Sequence, residues 1–297
     1  MVTGPGPAAV AAVAAVKEEQ RRTWDAIAPG WEASLETFER GAAEVTRLLL
    51  DLGGVRPGHT VLDVATGLGE PALTAARAVG PEGRVVATDL SPEMLGVARR
   101  RAEGLGNVEF AVADLELLDP PPGSFDVVLS RWGLMFALDH AALFRSLRRL
   151  LVPGGVLAAA VWGPPARVPM MALGYRVIGE RLELPPPPPG TPGPFSMSDP
   201  GRLAAEVRAA GFTEVSVTEV VVPFRLESAA EFVAFTRAVT PPGLLERMRE
   251  RLGSADDPAT WAAVAEAAGR HRAPGGGLAL DSAALCLRAV APADGTR

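Results

Sequence analysis

Cysteine and histidine are both scarce in this chain of 297 residues. The single cysteine, Cys286, excludes a disulfide framework and a thiolate metal cluster. The three histidines, His59, His140 and His271, do not have the spacing of metal ligands, and we therefore expect no metal site. The length allows one large domain with insertions, or two small domains, with a sizeable buried core.

Basic clusters and long apolar runs are also missing. The net charge is −6, and no stripe of lysine and arginine offers the contacts that a phosphate backbone requires, so we expect no nucleic-acid partner. An alanine- and valine-rich run at residues 8–16 has no basic segment before it, and a charged segment from Lys17 to Arg22 follows it. No apolar run reaches the length of a membrane span. These features predict a cytoplasmic protein without a stable membrane anchor.

The chain does contain a strand, a tight turn and a helix in direct succession. The β-branched run from Thr60 to Ala65 leads into a turn with Gly67 and Gly69, and a helical segment, Pro71 to Val79, begins at once. Glycine permits the unusual φ values of such a turn and lets a ligand approach the backbone. The unit presents backbone N–H groups and a positive helix end to a nucleotide-like ligand.

The turn by itself leaves two ligand classes open. The motif G-x-G-x-x-A that begins at Gly67 also fits the dinucleotide fingerprint, so an NAD(P)-dependent oxidoreductase is an alternative. Asp63 argues against it, because a carboxylate at this strand end would repel a pyrophosphate but could meet an ammonium group. Two later strands also end in acids, Asp89 and Asp114.

Strands and helical segments alternate through the middle of the chain, which predicts a parallel sheet with helices on both faces. The expected strands are Thr60–Ala65, Arg84–Thr88, Val108–Ala113, Phe125–Ser130, Val156–Trp162, Glu214–Phe224 and Ala284–Val290. Helices are expected before them, at Ala9–Ala28 and Trp31–Leu52 with a break at Pro29-Gly30, and also at Ser91–Leu105, Asp139–Leu151, Asp199–Ala210 and 227–270.

We divide the chain into four parts on this basis. An N-terminal helical segment covers residues 1–52, of which 1–8 are expected to be disordered, and a ligand-binding core covers 53–162. An insertion at 163–198 includes the semi-rigid stretch Pro185–Pro189. Residues 199–297 complete the core and contain a helical insertion at 225–282. The N-terminal helices and the insertions are expected to form a lid.

Five segments in a fixed order carry a resemblance to a known family. They are VLDVATGLGEPAL, VVATDLSPEML, VADLELL, SFDVVLSRWGL and LRRLLVPGGVLAAAVW, within residues 57–162. The chain resembles the class I S-adenosylmethionine-dependent methyltransferases, most closely the branch of the ubiquinone/menaquinone-biosynthesis C-methyltransferases. The resemblance implies an α/β fold with a Rossmann-like seven-stranded sheet whose last strand is antiparallel. It also implies S-adenosylmethionine as the cofactor. Many members have a third glycine in the first turn, where this chain has Glu70-Pro71, which we interpret as a variant.

The resemblance assigns cofactor roles residue by residue. Asp63 would orient the methionyl end, and Gly67 and Gly69 would let the backbone approach it. Asp89 would accept hydrogen bonds from both ribose hydroxyls, and Asp114 would accept one from the adenine amino group. The remaining residues expected at the cofactor are Ala65, Thr66, Leu90, Met94, Leu115 and Ser130.

The acceptor side is less defined by sequence. Arg131 could bind an acceptor anion or pair with a nearby carboxylate, and His140 could be a base or a surface residue at a helix start. A base is optional when the acceptor is acidic. An apolar acceptor pocket is expected from Trp24, Trp31, Trp132, Met135, Phe136, Met170, Met171 and Tyr175, although such residues could equally be plain core.

The resulting hypothesis is methylation, at oxygen or carbon, of a small hydrophobic or aromatic acceptor such as a phenol, quinol, polyketide or terpenoid. A cofactor-binding interaction protein without catalytic activity is the alternative from another class. The expected partner is a small-molecule acceptor, and the expected assembly is a monomer or a homodimer.

Overall fold

The computed structural model of the chain describes residues 7–188 and 190–293. The strands are β1 (Thr60–Val64), β2 (Arg84–Asp89), β3 (Val108–Val112), β4 (Phe125–Arg131), β5 (Leu151–Trp162), β6 (Thr213–Leu226) and β7 (Leu278–Val290). The helices are α1 (Pro7–Ala33), α2 (Leu35–Gly53), α3 (Ala72–Val79), α4 (Pro92–Arg101), α5 (His140–Leu150), α6 (Pro169–Arg181), α7 (Pro200–Ala209), α8 (Ala229–Val239), α9 (Pro242–Leu252) and α10 (Pro258–Gly269).

The described strands form one seven-stranded sheet in the order β3-β2-β1-β4-β5-β7-β6. Strands β1 to β5 pair in parallel, whereas β7 runs antiparallel to both β5 and β6. This arrangement confirms the predicted fold class. The chain moves outward from β1 in one direction through β2 and β3, and in the other through β4 and β5. In open sheets of this kind, ligands bind beyond the carboxyl ends of the strands, at the point where the order reverses.

The centre of the sheet is buried on both faces. Val61, Leu62 and Val64 of β1 are fully buried, as expected for a parallel strand covered by helices. Helix α2 covers part of the sheet with Val45 and Leu49, which are also buried. This rigid centre holds the turn after β1 in place.

The N-terminal helices differ from the prediction. Helix α1 continues through Pro29 and Gly30 to Ala33, and the chain changes direction at Ser34, so the predicted break at Pro29-Gly30 was wrong. An added Cβ at Gly30 would overlap the carbonyl oxygen of Ala238 in α8. Glycine therefore lets the two helices approach closely, and this packing offsets the backbone hydrogen bond that proline cannot donate.

Two strands are longer than predicted. Strand β7 begins at Leu278 rather than Ala284. Strand β5 begins at Leu151 and includes the expected turn at 153–155, because Phe125 pairs with Leu151 while Val127 pairs with Val156. The residues between these two pairs bulge out of the register.

Some expectations concern residues that the structure does not describe. Of residues 1–8, which were expected to be disordered, 1–6 lie outside the described residues and α1 begins at Pro7. Pro189 of the proline stretch and residues 294–297 also lie outside them. Among the described helices, none is both long and apolar enough to cross a bilayer.

Candidate functional site

The turn after β1 has three residues with positive φ. They are Ala65 at 57°, Gly67 at 54° and Gly69 at 109°. An added Cβ at Gly67 would meet no atom within 4 Å, whereas one at Gly69 would contact Leu73. Gly67 therefore exposes its backbone to open space, as a ligand-binding turn requires.

The positive φ of Ala65 was not expected from the sequence. A positive φ is uncommon for alanine, because its Cβ crowds the following carbonyl oxygen. Gly133, in the segment after β4, provides the necessary room, since an added Cβ there would overlap the methyl group of Ala65. Two segments far apart in the sequence thus shape this turn together.

Asp63 lies buried behind the turn. Its Oδ2 accepts a hydrogen bond from the backbone N–H of Ala72 at 3.0 Å, at the start of α3. Its Oδ1 and the Oγ1 of Thr66 are buried without a well-formed hydrogen bond among the described residues, although the Thr66 hydroxyl is near enough to the carboxyl to lower its pKa. Burial raises the pKa of Asp63 to about 7. The carboxyl therefore lies where it would interact electrostatically with a positively charged group bound at the turn.

The pKa of Asp63 predicts a dependence of stability on pH. Because this pKa rises from 3.8 to about 7 on folding, the protonated carboxyl favours the folded state, and that contribution is lost as the pH increases between these values. The variant Asp63→Asn lacks this titration. Its free energy of unfolding, measured in urea relative to the original chain, should therefore rise by roughly 1–4 kcal/mol between about pH 4 and about pH 8. A difference that stays constant with pH would contradict the assignment.

Asp89 is the last residue of β2, and Asp114 lies two residues after the end of β3, at the same edge of the sheet. Asp89 accepts hydrogen bonds from the backbone N–H of Gly67 at 2.8 Å and of Ser91 at 2.9 Å. Burial raises the pKa of Asp89 to about 6, and these backbone donors partly oppose the shift. Oδ1 of Asp114 accepts a hydrogen bond from Nζ of Lys17 at 3.0 Å. Asp89 ends its strand as predicted, whereas β3 ends at Val112, one residue earlier than expected, and Asp114 stands in the loop that follows.

Helix α1 covers this edge of the sheet. Asp25 accepts a hydrogen bond from the Ser91 hydroxyl at 2.6 Å, and the Gln20 side chain donates to the carbonyl of Phe136 at 3.0 Å. The rings of Trp24 and Phe136 meet edge to face with centroids 5.0 Å apart. Together with Lys17, these residues follow the helical spacing i, i+3, i+7 and i+8. That spacing could have identified the polar residues of α1, which the sequence analysis missed.

Arg131 is the last residue of β4, and Trp132 follows it at the same edge of the sheet. The buried guanidinium of Arg131 lies 2.9 Å from Oε2 of Glu39 and 2.7 Å from the hydroxyl of Thr46. Of the two interpretations left open, the structure therefore shows the pairing with a carboxylate. Trp132 has a φ of 60° and stacks on Trp162 with ring centroids 4.2 Å apart.

One cavity of about 1950 Å³ joins these parts. Pockets for a single small ligand are typically roughly 300–1,000 Å³, so the cavity has room for a cofactor together with an acceptor. The predicted cofactor residues that line it are Ala65, Thr66, Gly67, Asp89, Leu90, Met94, Asp114 and Leu115. The predicted acceptor residues that line it are Trp24, Trp31, Arg131, Trp132, Met135, Phe136, Met171 and Tyr175.

Five predicted site residues do not line the cavity: Asp63, Gly69, Ser130, His140 and Met170. Ser130 donates its hydroxyl hydrogen to the carbonyl of Val64, and the backbone N–H of Met170 donates to Ser282.

The cavity wall also contains residues that the sequence analysis did not propose. They include Phe38, Glu39, Trp162, Phe195 and Ser196. The end of β5 lies at the same edge as the end of β4, so the position of Trp162 was a usable signal. The others come from α2 and from the segment after α6, whose packing the sequence does not reveal.

Comparisons with known proteins agree with this geometry. The family model of the methyltransferase domain matches residues 61–155. The ubiquinone/menaquinone biosynthesis C-methyltransferase UbiE of Ectopseudomonas mendocina is 41% identical over 132 residues, which cover 43% of this chain and 51% of that relative. The chain thus spans about half the length of the curated relatives it matches.

Solved structures show the same fold. A Haemonchus contortus phosphoethanolamine N-methyltransferase 2, in complex with phosphomonomethylethanolamine and S-adenosylhomocysteine, has a TM-score of 0.54 at 20% identity, over 88% of this chain and 58% of that one. The [4+2]-cyclase SpnF has a TM-score of 0.52 at 21% identity, over 85% and 82%. The sheet order agrees with these structures, and residues 61–155 match the methyltransferase domain, so the chain is similar to the class I S-adenosylmethionine-dependent methyltransferases over this segment.

Proposed function

We propose that this chain transfers a methyl group from S-adenosylmethionine to an oxygen or carbon atom of a small hydrophobic or aromatic acceptor. The observation that carries the proposal is the continuity of the cavity. It extends from the acids at the ends of β2 and β3 to an apolar wall of aromatic residues beyond β4. Cofactor and acceptor can therefore lie side by side in it.

The residues at the strand ends fit the cofactor. The space in front of Gly67 would admit a ligand, and the buried oxygens of Asp63 and Thr66 have no well-formed hydrogen bond among the described residues. Asp89 would hold the ribose and Asp114 the adenine amino group, because each carboxylate oxygen can accept a further hydrogen bond. The bound cofactor supplies a methyl group on a positively charged sulfur.

The acceptor side of the cavity favours an apolar molecule. Trp132 stacks on Trp162, and Phe38 packs edge-on against Trp132. Tyr175 donates its hydroxyl hydrogen to the carbonyl of Val239 at 3.0 Å, and burial raises the pKa of its phenol. Tyr175 would therefore remain neutral. The wall would orient the acceptor and exclude water, and orientation alone can contribute roughly 7–11 kcal/mol to such a reaction.

The relatives support an aromatic acceptor without defining it. The curated relatives are named for C-methylation in ubiquinone/menaquinone biosynthesis, which is compatible with an aromatic cavity. The fold alone does not decide the reaction, because a cyclase has it too. Turnover must therefore be measured, with S-adenosylmethionine and a panel of phenols, quinols and amines, and methylated products detected by mass spectrometry.

Removing the carboxylate of Asp89 should weaken the cofactor site. The variant Asp89→Ala loses charge-assisted hydrogen bonds worth roughly 1.5–3 kcal/mol. We therefore expect S-adenosylhomocysteine to bind about 10- to 100-fold more weakly, as measured by calorimetry. The variant Asp119→Ala is the matched control, since it removes an exposed acid that does not line the cavity.

Two results would contradict this assignment. Unchanged affinity in a folded Asp89→Ala variant would remove Asp89 from the cofactor site. Binding of NAD in place of S-adenosylhomocysteine would overturn the cofactor assignment as a whole. Cofactor binding without turnover of any acceptor would favour the non-catalytic alternative.

A further inference from the structure

A line of three polar side chains leads from the cavity wall into the protein. Ser196 lines the cavity and donates its hydroxyl hydrogen to the carbonyl of Met135 at 2.6 Å. Nε2 of His140 lies 3.4 Å from Oγ of Ser196, and Nδ1 of His140 lies 3.2 Å from Oε2 of Glu206. His140 and Glu206 do not line the cavity, so Ser196 is the point of contact with it.

The neighbours of His140 determine where its ring carries a proton. Nδ1 faces the carboxylate of Glu206 and therefore carries the hydrogen in the neutral ring. Nε2 is left with a lone pair that faces the Ser196 hydroxyl. Glu206 is itself held by Arg202, whose Nε donates to Oε1 at 2.7 Å. The ring is thus oriented to accept a proton from the direction of the cavity.

The local backbone does not favour a nucleophilic serine. The Ser196 hydroxyl is engaged by a carbonyl, and the backbone N–H of Ser196 donates to the carbonyl of Gly193. Pro192 and Pro194 beside it have no N–H to offer a developing oxyanion. Neither proline can therefore donate a hydrogen bond to an oxyanion at Ser196.

We propose that Ser196, His140 and Glu206 relay the proton of an acceptor hydroxyl group during methyl transfer, an inference that rests on the function proposed above. The Ser196 hydroxyl first turns from the carbonyl of Met135 towards Nε2 of His140. The acceptor O–H bond then breaks and its proton passes to Oγ of Ser196, while the original hydroxyl proton of Ser196 passes to Nε2. The acceptor oxygen forms a bond to the methyl carbon, and the electron pair of the broken C–S bond goes to sulfur. Glu206 stabilises the imidazolium that results. The acceptor class is accordingly a weakly acidic hydroxyl compound.

A series of substituted phenols as methyl acceptors tests the relay. The catalytic efficiency kcat/KM is compared between the original chain and the variant His140→Gln. Acidic phenols such as 4-nitrophenol ionise without help, so we expect little difference for them. For weakly acidic phenols such as 4-methoxyphenol we expect a loss of about 100-fold in kcat/KM, the lower limit of what general base catalysis usually contributes. The variant Ser196→Ala should likewise lose kcat/KM for weakly acidic phenols and change little for acidic ones.

Controls separate the relay from a structural effect. His59→Gln makes the same substitution at a histidine that does not line the cavity or contact Ser196, His140 or Glu206. Its kcat/KM should match that of the original chain for every phenol. The affinity for S-adenosylhomocysteine should be unchanged in His140→Gln. Nitrogen-15 NMR of the three imidazoles should show the neutral His140 ring protonated at Nδ1.

The outcomes are distinct. An equal loss for all phenols, or a His140 ring protonated at Nε2, would overturn the relay and leave methyl transfer intact. Methylation of amines but of no phenol would also overturn it. Cofactor binding without turnover of any acceptor would overturn the proposed function and the relay with it.

Discussion

Replacing Gly67 by valine should weaken the binding of S-adenosylhomocysteine severely. The φ of Gly67 is 54°, a conformation that is a genuine outlier for a β-branched residue. The added side chain would project into the cavity, where no protein atom lies within 4 Å. Strain would also disturb the N–H that donates to Asp89. We expect the affinity, measured by calorimetry, to fall by roughly 100-fold or more, about 2.8 kcal/mol.

The variant Gly104→Val is the matched control for backbone strain. Gly104 also has a positive φ, 86°, and an added Cβ there would meet no atom within 4 Å. It is exposed and does not line the cavity. Both variants should therefore lose stability, but only Gly67→Val should lose cofactor affinity. Equal affinities in the two folded variants would place the cofactor elsewhere.

The central fold could be predicted because its signals are local. Ser91 is an example: a hydroxyl followed by proline predicts a helix start, and its Oγ accepts a hydrogen bond from the N–H of Met94 at 3.1 Å. The aspartates at the ends of β2 and β3 are similar, since alternation of strands and helices already places them at one edge.

The covering of the site could not be predicted in the same way. Pro29 and Gly30 are ordinary helix-breaking signals, and only the contact of Gly30 with α8 shows why α1 continues. Lys17 meets Asp114 across almost a hundred residues of sequence. Such contacts depend on tertiary packing, which overrides local preference. The lid was therefore expected, but its polar contacts with the strand ends were not.

His140 shows how a correct local interpretation can leave a role open. The sequence places it at a helix start, and the structure agrees, with Asp139 as the capping residue that accepts from the N–H of Ala142 at 2.8 Å. The residues that give its ring an orientation, Ser196 and Glu206, lie in segments after the core. Its role depends on those distant partners.

Replacing Arg131 should have the second large effect, a loss of stability rather than of cofactor affinity. Its side chain is only 6% exposed and that of Glu39 is 22% exposed, so the variant Arg131→Met would leave a largely buried carboxylate without its partner. Removing one member of a buried ion pair typically costs about 3–5 kcal/mol. We expect a loss near the lower limit, about 3 kcal/mol, in urea unfolding at neutral pH, because Glu39 retains some contact with water. The pKa of Asp63 should also rise further, since the charge of Arg131 lowers it.

A double variant and a surface pair make this prediction specific. Arg131→Met combined with Glu39→Leu should recover part of the loss, because no unpaired charge remains buried. Arg47 pairs with Glu44 on α2, but both side chains are largely exposed, so Arg47→Met should cost less than about 1 kcal/mol.

A similarly small loss for Arg131→Met would mean that Glu39 does not depend on Arg131. The guanidinium would then be available to an acceptor anion, and the same variant should raise the KM for anionic acceptors while leaving the affinity for S-adenosylhomocysteine unchanged.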